Sequence, residues 1–566
     1  MKKPLLSEMT LREKIGQCLL PQQWDIYQKC EIDYRISRSI EERHALLQKE
    51  QFGSFYAEQA GLFHLATPSP EDLTIDLAEK CRGNIQSAEF KKFIDAQSQA
   101  LKIPAFTAVD CERGVGHIFS DLSKICDAPA LGSTDSDELA FALGAAVARE
   151  LRCAGFNWRW FPVADVASRF STGIMRSLCV DFPDRMIRLA NAHISGMQSE
   201  GVAGTLKHFP GSDRLETRDS HFTPTVISSS MEEWWAEQGK IFKGIIGGGV
   251  YSVMIGHSAF PACDDSQING VPIPATLSKK IITDLLKREI GFDGVVITDA
   301  ITMGSVSSIL DYEDLIVALI NAGNDVLLSC KLSAGDIIEK AVLDGRIPME
   351  RIDDACSRIL NMKEKLGMFR EDYFDLPYCA EDVVPVTRKI NMEVARRSIT
   401  LVRDRKQLLP LNKDNIKHVA IICSTHDDTF PEELNALKAE FEKRGTAVSI
   451  QRRLTSPQEL QGISDRADLI IYAVYVAPHK PRGGLTLYGD ECTTYFHAFT
   501  SGKEKSIGVS FGYPYIHYNI MENANTFINT YSKSPESMQA FVEAIFGEIE
   551  ITGQSPVHLI PKPIFR

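Results

Sequence analysis

The chain has 566 residues, of which 44% are hydrophobic and 24% are charged, and its formal net charge is −13. The length predicts more than one domain, and the composition is that of a globular protein. The negative charge argues against nonspecific binding to nucleic acid or an anionic membrane, and no apolar run approaches the roughly 18 residues of a membrane span.

The N-terminal stretch and the cysteines bear on the compartment. MKKPLLSEMTLREKIGQ lacks the apolar core of a signal peptide. The 13 cysteines are scattered singly, without a Cys-x-x-Cys pair, and no His-Glu-x-x-His occurs. This pattern predicts no structural zinc, and it predicts free buried thiols in a reducing cytoplasm.

The first two-thirds of the chain contain short apolar runs of strand length, each ending at a polar residue. AGLFHLA, around His64, is an early candidate. The clearer runs, in chain order, are AFTAVD ending at Asp110, FNWRWFPVAD at Asp165, VAGTLKH at Lys207 and His208, VYSVMIGH at His257, GVVITD at Asp299, and DVLLS at Ser329.

The segments between these runs have the pattern of helices. STDSDELAFALGAAVARELRCAG begins with capping residues and stops at Gly155, and SKKIITDLLKREIG repeats its apolar residues at helical spacing before Gly291. Alternating strands and helices predict a parallel α/β sheet, here a (β/α)8-type TIM barrel. In such a barrel the residues at the carboxyl ends of the strands form the active site; alternatively, each polar residue merely begins a solvated loop.

A second set of strands follows a linker rich in charge and proline. HVAIICS, DLIIYAVYV, KSIGVSFG and NTFINTYS are predicted strands, and PEELNALKAEFEKRG and SPESMQAFVEAIFGE are predicted helices. We therefore predict a catalytic barrel over residues 1–370, a linker over 371–390, and a smaller open α/β sandwich over 391–566. The second domain has no glycine-rich phosphate loop, so its role could be structural.

The polar residues at the strand ends suit a polyhydroxylated ligand. Carboxylates, a lysine and histidines offer both donors and acceptors to sugar hydroxyls, so we expect a small carbohydrate partner. Asp299 is the best nucleophile candidate, although an aspartate after a strand also commonly caps a helix. In the loop Asp219-Ser220-His221, an imidazolium oriented by a carboxylate could protonate a leaving group; the alternative is an Asx turn with an incidental histidine.

Motifs along nearly the whole chain resemble glycoside hydrolase family 3, in its β-N-acetylhexosaminidase branch. The opening MTLREKIGQ, the strand GTLKHFPG followed by DSH, and VMIGHSAFPACD, PATLS and GFDGVVITDAITM resemble motifs of the family's first domain, in order. SFGYPY and SPESMQAFVEAIFGEIEITGQSPV resemble its second domain.

The resemblance implies a retaining, two-step hydrolysis without metal or organic cofactor. Asp299 matches the family nucleophile, and His221 with Asp219 matches its acid/base dyad. The remaining matches are sugar-binding or supporting positions, namely Asp110, Arg176, Lys207, His208, Asp165 and His257. The expected activity is release of terminal β-linked N-acetylglucosamine from peptidoglycan or chitin fragments, as in peptidoglycan recycling.

Some positions depart from the family pattern. Ser212-Asp213 stands where the family has His-Gly, and Ile118 stands where an arginine is expected. These departures leave the exact glycan open. Phosphorolysis, β-glucoside or xyloside cleavage with Glu491 as acid, and non-catalytic sugar binding are the alternatives; the oligomeric state is not predicted.

Overall fold

The computed structural model of the protein describes residues 2–21, 40–56, 86–99, 101–167, 169, 171–476, 487 and 489–560. The predicted run AGLFHLA lies outside these residues. Within them, no helix combines the length and the apolar character needed to cross a bilayer.

Contacts between residues divide the chain into two compact units. The first unit comprises Met1–Lys124, Ala140–Asp165 and Ala190–Thr387, and the second comprises Ile125–Leu139, Val166–Leu189 and Arg388–Arg566. Two segments inside the predicted residues 1–370 thus group with the C-terminal part of the chain. Hydrogen bonds show why, since Gln554 N donates to the Ser133 carbonyl (2.8 Å) and Val180 N to the Pro556 carbonyl (3.2 Å).

In the first unit, the described residues form eight parallel strands that close into a barrel, so the predicted fold class is confirmed. In chain order they are β1 (Leu19–Leu20), β2 (Ser54–Tyr56), β3 (Phe106–Val109), β4 (Trp158–Arg159), β5 (Ala203–Phe209) and β6 (Ser252–Ile255), and then, after a small antiparallel hairpin of β7 (Gln267–Ile268) and β8 (Val271–Pro272), β9 (Val295–Thr298) and β10 (Leu327–Leu328).

Backbone pairing runs round the whole barrel. Strands β2, β3, β4, β5, β6 and β9 form one parallel sheet, and β1 pairs in parallel with β10. Thr298 N donates to the Val326 carbonyl (2.8 Å), which joins β9 to β10, and Tyr56 N donates to the Pro21 carbonyl (3.2 Å), which joins β2 to β1. All six of the clearer predicted runs therefore contribute barrel strands.

The barrel interior is apolar, with its few polar groups bonded to one another. Trp158 is completely buried, and its Nε1 lies 2.8 Å from Thr205 Oγ1 and 2.9 Å from Ser252 Oγ. Such pairing removes the desolvation penalty of a buried N–H group. The rigid interior fixes the strand ends that carry the site.

Helices surround the strands in both units, and glycines end them where predicted. Gly155 and Gly291 have φ values of +86° and +85°, which suit glycine at a helix end. The segment Lys280–Glu289 is a π-type helix that buries the predicted apolar face.

The α-helices of the described residues are, in chain order, α1 (Leu11–Gln17), α2 (Ile40–Glu50), α3 (Ser87–Gln99), α4 (Ala128–Thr134), α5 (Asp137–Cys153), α6 (Pro183–Ser199), α7 (Met231–Trp234), α8 (Lys240–Ile246), α9 (Gly304–Ser307), α10 (Tyr312–Ala322), α11 (Ala334–Leu343), α12 (Met349–Lys365), α13 (Ala380–Ser398), α14 (Phe430–Glu442), α15 (Pro457–Arg466), α16 (Asp490–His497), α17 (Ile516–Asn519) and α18 (Pro535–Ile545).

The second unit is built on a six-stranded sheet. Its strands are β11 (Thr400–Asp404), β12 (His418–Thr425), β13 (Ala447–Arg452), β14 (Leu469–Tyr475), β15 (Ser506–Ser510) and β16 (Thr526–Asn529). Their order is β11-β16-β15-β14-β12-β13, with only β11 antiparallel to its neighbour. This arrangement matches the predicted open α/β domain, although α13 makes half of the predicted linker helical.

Candidate active site

The carboxyl ends of the barrel strands bring the polar residues to one rim. Because the strands are parallel, the residues that follow them lie on the same side of the barrel. The predicted site residues placed there are Asp110, Asp165, Lys207, His208, His257 and Asp299.

Asp299 follows β9 directly and its carboxylate faces histidines. Its Oδ1 accepts the N–H of Ala300 at 2.8 Å. Burial raises the pKa of Asp299, but the neighbouring imidazoles of His208 and His257, the Ala300 N–H and the imidazole of His221 outweigh burial and lower the pKa to about 2. The carboxylate is therefore ionised at neutral pH, as a nucleophile must be. The capping alternative is wrong, because the next helix begins at Gly304 after Met303 as its N-cap.

His257 supports the segment that follows Asp299. Its side chain is buried, with Nδ1 3.0 Å from Thr276 Oγ1 and Nε2 3.1 Å from the Ala300 carbonyl. A carbonyl only accepts, so Nε2 carries the proton and Nδ1 accepts from the Thr276 hydroxyl. Burial lowers the pKa of His257 even beside Asp299, which keeps the ring neutral. This geometry favours a positioning role over the predicted sugar contact.

His208 lies between two carboxylates. Both oxygens of Asp165 bind it, Oδ1 accepting the backbone N–H at 2.9 Å and Oδ2 lying 2.7 Å from Nδ1. The other ring nitrogen, Nε2, is 3.8 Å from Asp299 Oδ2. Asp165 therefore orients His208 so that its other ring nitrogen faces the Asp299 carboxylate.

Lys207 forms the centre of a small charged cluster. Its side chain is only 2% exposed, and its Nζ lies 2.5 Å from Asp110 Oδ1 and 3.0 Å from Glu112 Oε1. Glu112 was not among the residues predicted from the sequence. The available signal was the spacing Asp110-Cys111-Glu112, which places a second carboxylate two residues beyond Asp110.

The predicted dyad is present in the loop after β5. Asp219 Oδ1 accepts the backbone N–H of His221 at 2.9 Å and lies 2.6 Å from His221 Nδ1. The first contact is an Asx turn and the second orients the ring, so the two sequence interpretations describe one structure. Because a carboxylate accepts, Nδ1 carries a proton and Nε2 is the nitrogen that exchanges one.

This loop is anchored close to the nucleophile segment. Gly304 N, five residues beyond Asp299, donates to the His221 carbonyl at 3.0 Å. His221 is also one of the groups that lower the pKa of Asp299. His221 is 38% exposed, so a ligand can reach it.

Asp213, one of the departures from the family pattern, forms hydrogen bonds at both ends of the loop that carries Asp219 and His221. Its Oδ1 accepts the N–H of Leu215 at 2.7 Å, and its Oδ2 accepts the Ser228 hydroxyl at 2.7 Å. The acidic residue thus joins the two ends of the loop that carries the dyad.

Two other residues named from the sequence lie in the second unit. Arg176 follows the short 3-10 helix Thr172–Met175, and its backbone N–H donates to the Gly173 carbonyl at 3.0 Å. Glu491, the alternative acid, is buried; its Oε1 lies 2.9 Å from Arg453 Nε and its Oε2 accepts the Thr425 N–H at 3.2 Å. Because both carboxylate oxygens of Glu491 already accept hydrogen bonds, this geometry argues against Glu491 as a proton donor.

Among the residues that the structure describes, no group of three His, Cys, Asp or Glu side chains has a geometry that could hold a metal ion. The chemistry available is an ionised carboxylate, an oriented imidazole, and a rim of donors and acceptors.

The sequence is similar to those of known glycosidases. The model of the Glycosyl hydrolase family 3 N terminal domain matches residues 10–362. The chain is 26% identical over 479 residues to a beta-N-acetylglucosaminidase/beta-glucosidase of Cellulomonas fimi, covering 80% of this chain and 84% of that protein. It is 26% identical over 402 residues to beta-hexosaminidase A of Pseudoalteromonas piscicida, covering 67% and 66%.

The fold is shared with solved structures. The beta-glucoside phosphorylase BglX superposes with a TM-score of 0.79 at 24% identity, covering 98% of this chain and 94% of that one. At this identity the likeness concerns the fold alone.

Proposed function

The chain belongs to glycosyl hydrolase family 3, and on that premise we propose that it is an exo-acting, retaining β-N-acetylglucosaminidase. The proposed substrates are peptidoglycan or chitin fragments with terminal β-linked N-acetylglucosamine. The names of the relatives from Cellulomonas fimi and Pseudoalteromonas piscicida support this choice of sugar.

In the first step the Asp299 carboxylate attacks the anomeric carbon. The glycosidic C–O bond breaks, and the leaving oxygen takes the proton from His221 Nε2 while Asp219 holds Nδ1 and stabilises the imidazolium. Lys207, Asp110 and His208 contact the sugar hydroxyls at the strand ends. The product of this step is a glycosyl ester of Asp299 and a free alcohol.

In the second step the neutral His221 removes a proton from water. The water oxygen attacks the same carbon, the ester bond to Asp299 breaks, and the sugar leaves with its original configuration. His221 is again protonated and Asp299 is again a carboxylate, so the enzyme returns to its starting state.

One observation carries the proposal: the carboxylate at the end of β9 is ionised, and the loop with the imidazole oriented by Asp219 is hydrogen-bonded to Gly304, five residues beyond that carboxylate. The test is release of the aryl group from an aryl β-N-acetylglucosaminide at pH 5 to 8, followed by mass spectrometry of protein treated with a slow fluorinated glycosyl donor. We expect turnover and a glycosylated peptide containing Asp299. If the protein turns over no aryl β-glycoside, the proposed glycosidase activity is wrong and non-catalytic sugar binding is the remaining function.

Phosphorolysis is the second candidate. After the first step His221 is neutral, so it repels an incoming phosphate less than a carboxylate base would. Adding phosphate and measuring sugar 1-phosphate against free sugar separates the two reactions, since only a phosphorylase diverts most of the product to the phosphate ester.

The cytoplasm is proposed as the compartment. The cysteines in the described part of the chain are free thiols, and most of them are buried. Such thiols suit a reducing environment. Cell fractionation with an antibody against the protein tests this proposal.

A further inference from the structure

Arg159 is a completely buried cation that the proposed reaction does not use. It ends β4 with no exposed surface, between the barrel and helix α6. Its guanidinium carbon lies 4.5 Å from the centre of the Phe161 ring, and Nη1 lies 3.1 Å from Nε2 of His193. A buried charge of this kind is costly unless its surroundings compensate it.

The hydrogen bonds of Arg159 go to neutral acceptors within the described residues. His193 Nδ1 lies 3.1 Å from the Ala140 carbonyl, so that nitrogen carries the proton and Nε2 accepts from Arg159. Burial lowers the pKa of Arg159 to about 10, while Cys111, Glu112 and Asp110 act in the opposite direction. The side chain is thus a cation at neutral pH, and the two nearby carboxylates partly offset the cost of its burial.

The connection to those carboxylates runs through the backbone of Cys111. Arg159 Nη2 donates to the Cys111 carbonyl at 2.7 Å, and Gly114 N donates to the same oxygen at 3.2 Å. Cys111 has a φ of +46°, a left-handed conformation that a residue with a side chain adopts only when its surroundings enforce it. Asp110 and Glu112 flank this kinked residue, and both reach Lys207 Nζ.

We propose that Arg159 is a positioning residue for the sugar-binding side of the site: by holding the Cys111 carbonyl, it sets the two flanking carboxylates around the Lys207 ammonium. Two cations and two carboxylates then form a neutral group at the end of β3 and β5. Without Arg159 the backbone at Cys111 leaves its left-handed conformation, and Asp110 and Glu112 no longer both form ion pairs with Lys207.

The inference rests on the proposed glycosidase function, and steady-state kinetics test it. Arg159→Met keeps much of the side-chain volume but removes the charge and the donors. We expect KM for the aryl β-N-acetylglucosaminide to rise roughly tenfold, with a smaller change in kcat, because the cluster contacts sugar hydroxyls in the ground state as well as the transition state. The KM of Arg159→Lys, which keeps the charge, should lie between the KM values of the wild type and Arg159→Met.

Arg152→Met is the matched control. Arg152 is also buried in the first unit, but its Nη2 donates to the Tyr373 carbonyl at 2.8 Å, away from the cluster. We expect both Met variants to lower the unfolding temperature and only Arg159→Met to change KM. Equal KM values for the two variants would overturn the inference.

A double-mutant cycle with Lys207→Met separates positioning from general destabilisation. If Arg159 acts through the cluster, the double variant should lose little more kcat/KM than Lys207→Met alone; losses that multiply would assign Arg159 a purely structural role. If Arg159→Met does not fold, Arg159→Lys replaces it in the cycle with the same two outcomes. If the wild type cleaves only another aryl β-glycoside, the proposed sugar is wrong, and the cycle is run on that glycoside.

Discussion

In the proposed reaction, Asp299 and His221 have separable roles. Asp299→Ala removes the nucleophile, so we expect kcat to fall by at least about 10³-fold, since no other group forms the glycosyl ester. The fold should persist because the residue lies at the strand end and not in the packed barrel interior. Turnover of an aryl glycoside and a thermal unfolding curve measure the two quantities; loss of the folded state would instead mark Asp299 as structural.

His221→Ala removes the proton donor and leaves the nucleophile. Aryl groups that leave well need little protonation, whereas alkyl or sugar leaving groups need a full proton. We expect the loss in kcat/KM to grow with the pKa of the leaving group across a series of substituted aryl glycosides. A loss independent of the leaving group would contradict the acid role.

Residue identities were the most predictable part of the site. Asp299, His208 and Lys207 could be named because each ends a short apolar run, and the dyad because Asp219 and His221 are two residues apart. Glu112 and Arg159 were not named. Glu112 lies in a turn where only its spacing from Asp110 is a signal, and Arg159 reaches its partner through the left-handed Cys111, a conformation that the residue type does not indicate.

At the scale of elements, the attachment of the dyad loop to the start of helix α9 can be tested by adding one methyl group at Gly304. A Cβ at Gly304 would lie 2.9 Å from the Phe222 carbonyl oxygen, too close for the loop to stay in place. We expect Gly304→Ala to displace His221 and to affect poor leaving groups most, by roughly tenfold, while the first step with an activated donor is nearly unchanged.

A glycine with room for a methyl group provides the control for this loop. Gly462 lies in helix α15, and its nearest neighbour to an added Cβ is 3.6 Å away. Gly462→Ala should leave all kinetic constants unchanged and stabilise the protein slightly. Equal activity of the two alanine variants would show that the loop does not depend on Gly304.

Elements with a strong apolar pattern were predictable, and short or exposed ones were not. The runs ending at Asp110 and Asp299 gave strands at the expected places. Strand β1 has only two residues and β13 is mostly exposed, so neither produces an apolar run. Neighbouring strands determine such elements more than their own sequence does.

The stability of the whole molecule should depend on a buried lysine. Lys363, in helix α12, has no exposed surface, and its Nζ donates to Gln17 Oε1 at 2.5 Å. Burial lowers the pKa of Lys363 to about 7. An unfolded lysine titrates near 10.4, so between these values the unfolded chain binds one more proton and stability rises with pH, by up to about 1.4 kcal/mol per unit.

Lys363→Met removes this dependence. Below pH 7 the wild type carries the full cost of burying a protonated lysine, so there we expect the variant to have the larger free energy of unfolding by the widest margin. This difference between variant and wild type should shrink as pH rises toward 10. Lys365→Met, an exposed site on the same helix, is the control and should give a difference independent of pH. Denaturant titrations at pH 6 and pH 9 measure both; a constant advantage for Lys363→Met would show that the lysine is protonated throughout.

The two early segments that group with the C-terminal unit have a consequence for biosynthesis. Residues 125–139 and 166–189 leave the ribosome long before residues 388–566, against which they pack. During that interval their apolar side chains have no final neighbours, and a nascent chain halted at residue 387 carries both segments uncovered. Chaperones that hold incomplete chains should therefore bind this protein at those segments, and should release it only when translation nears its end.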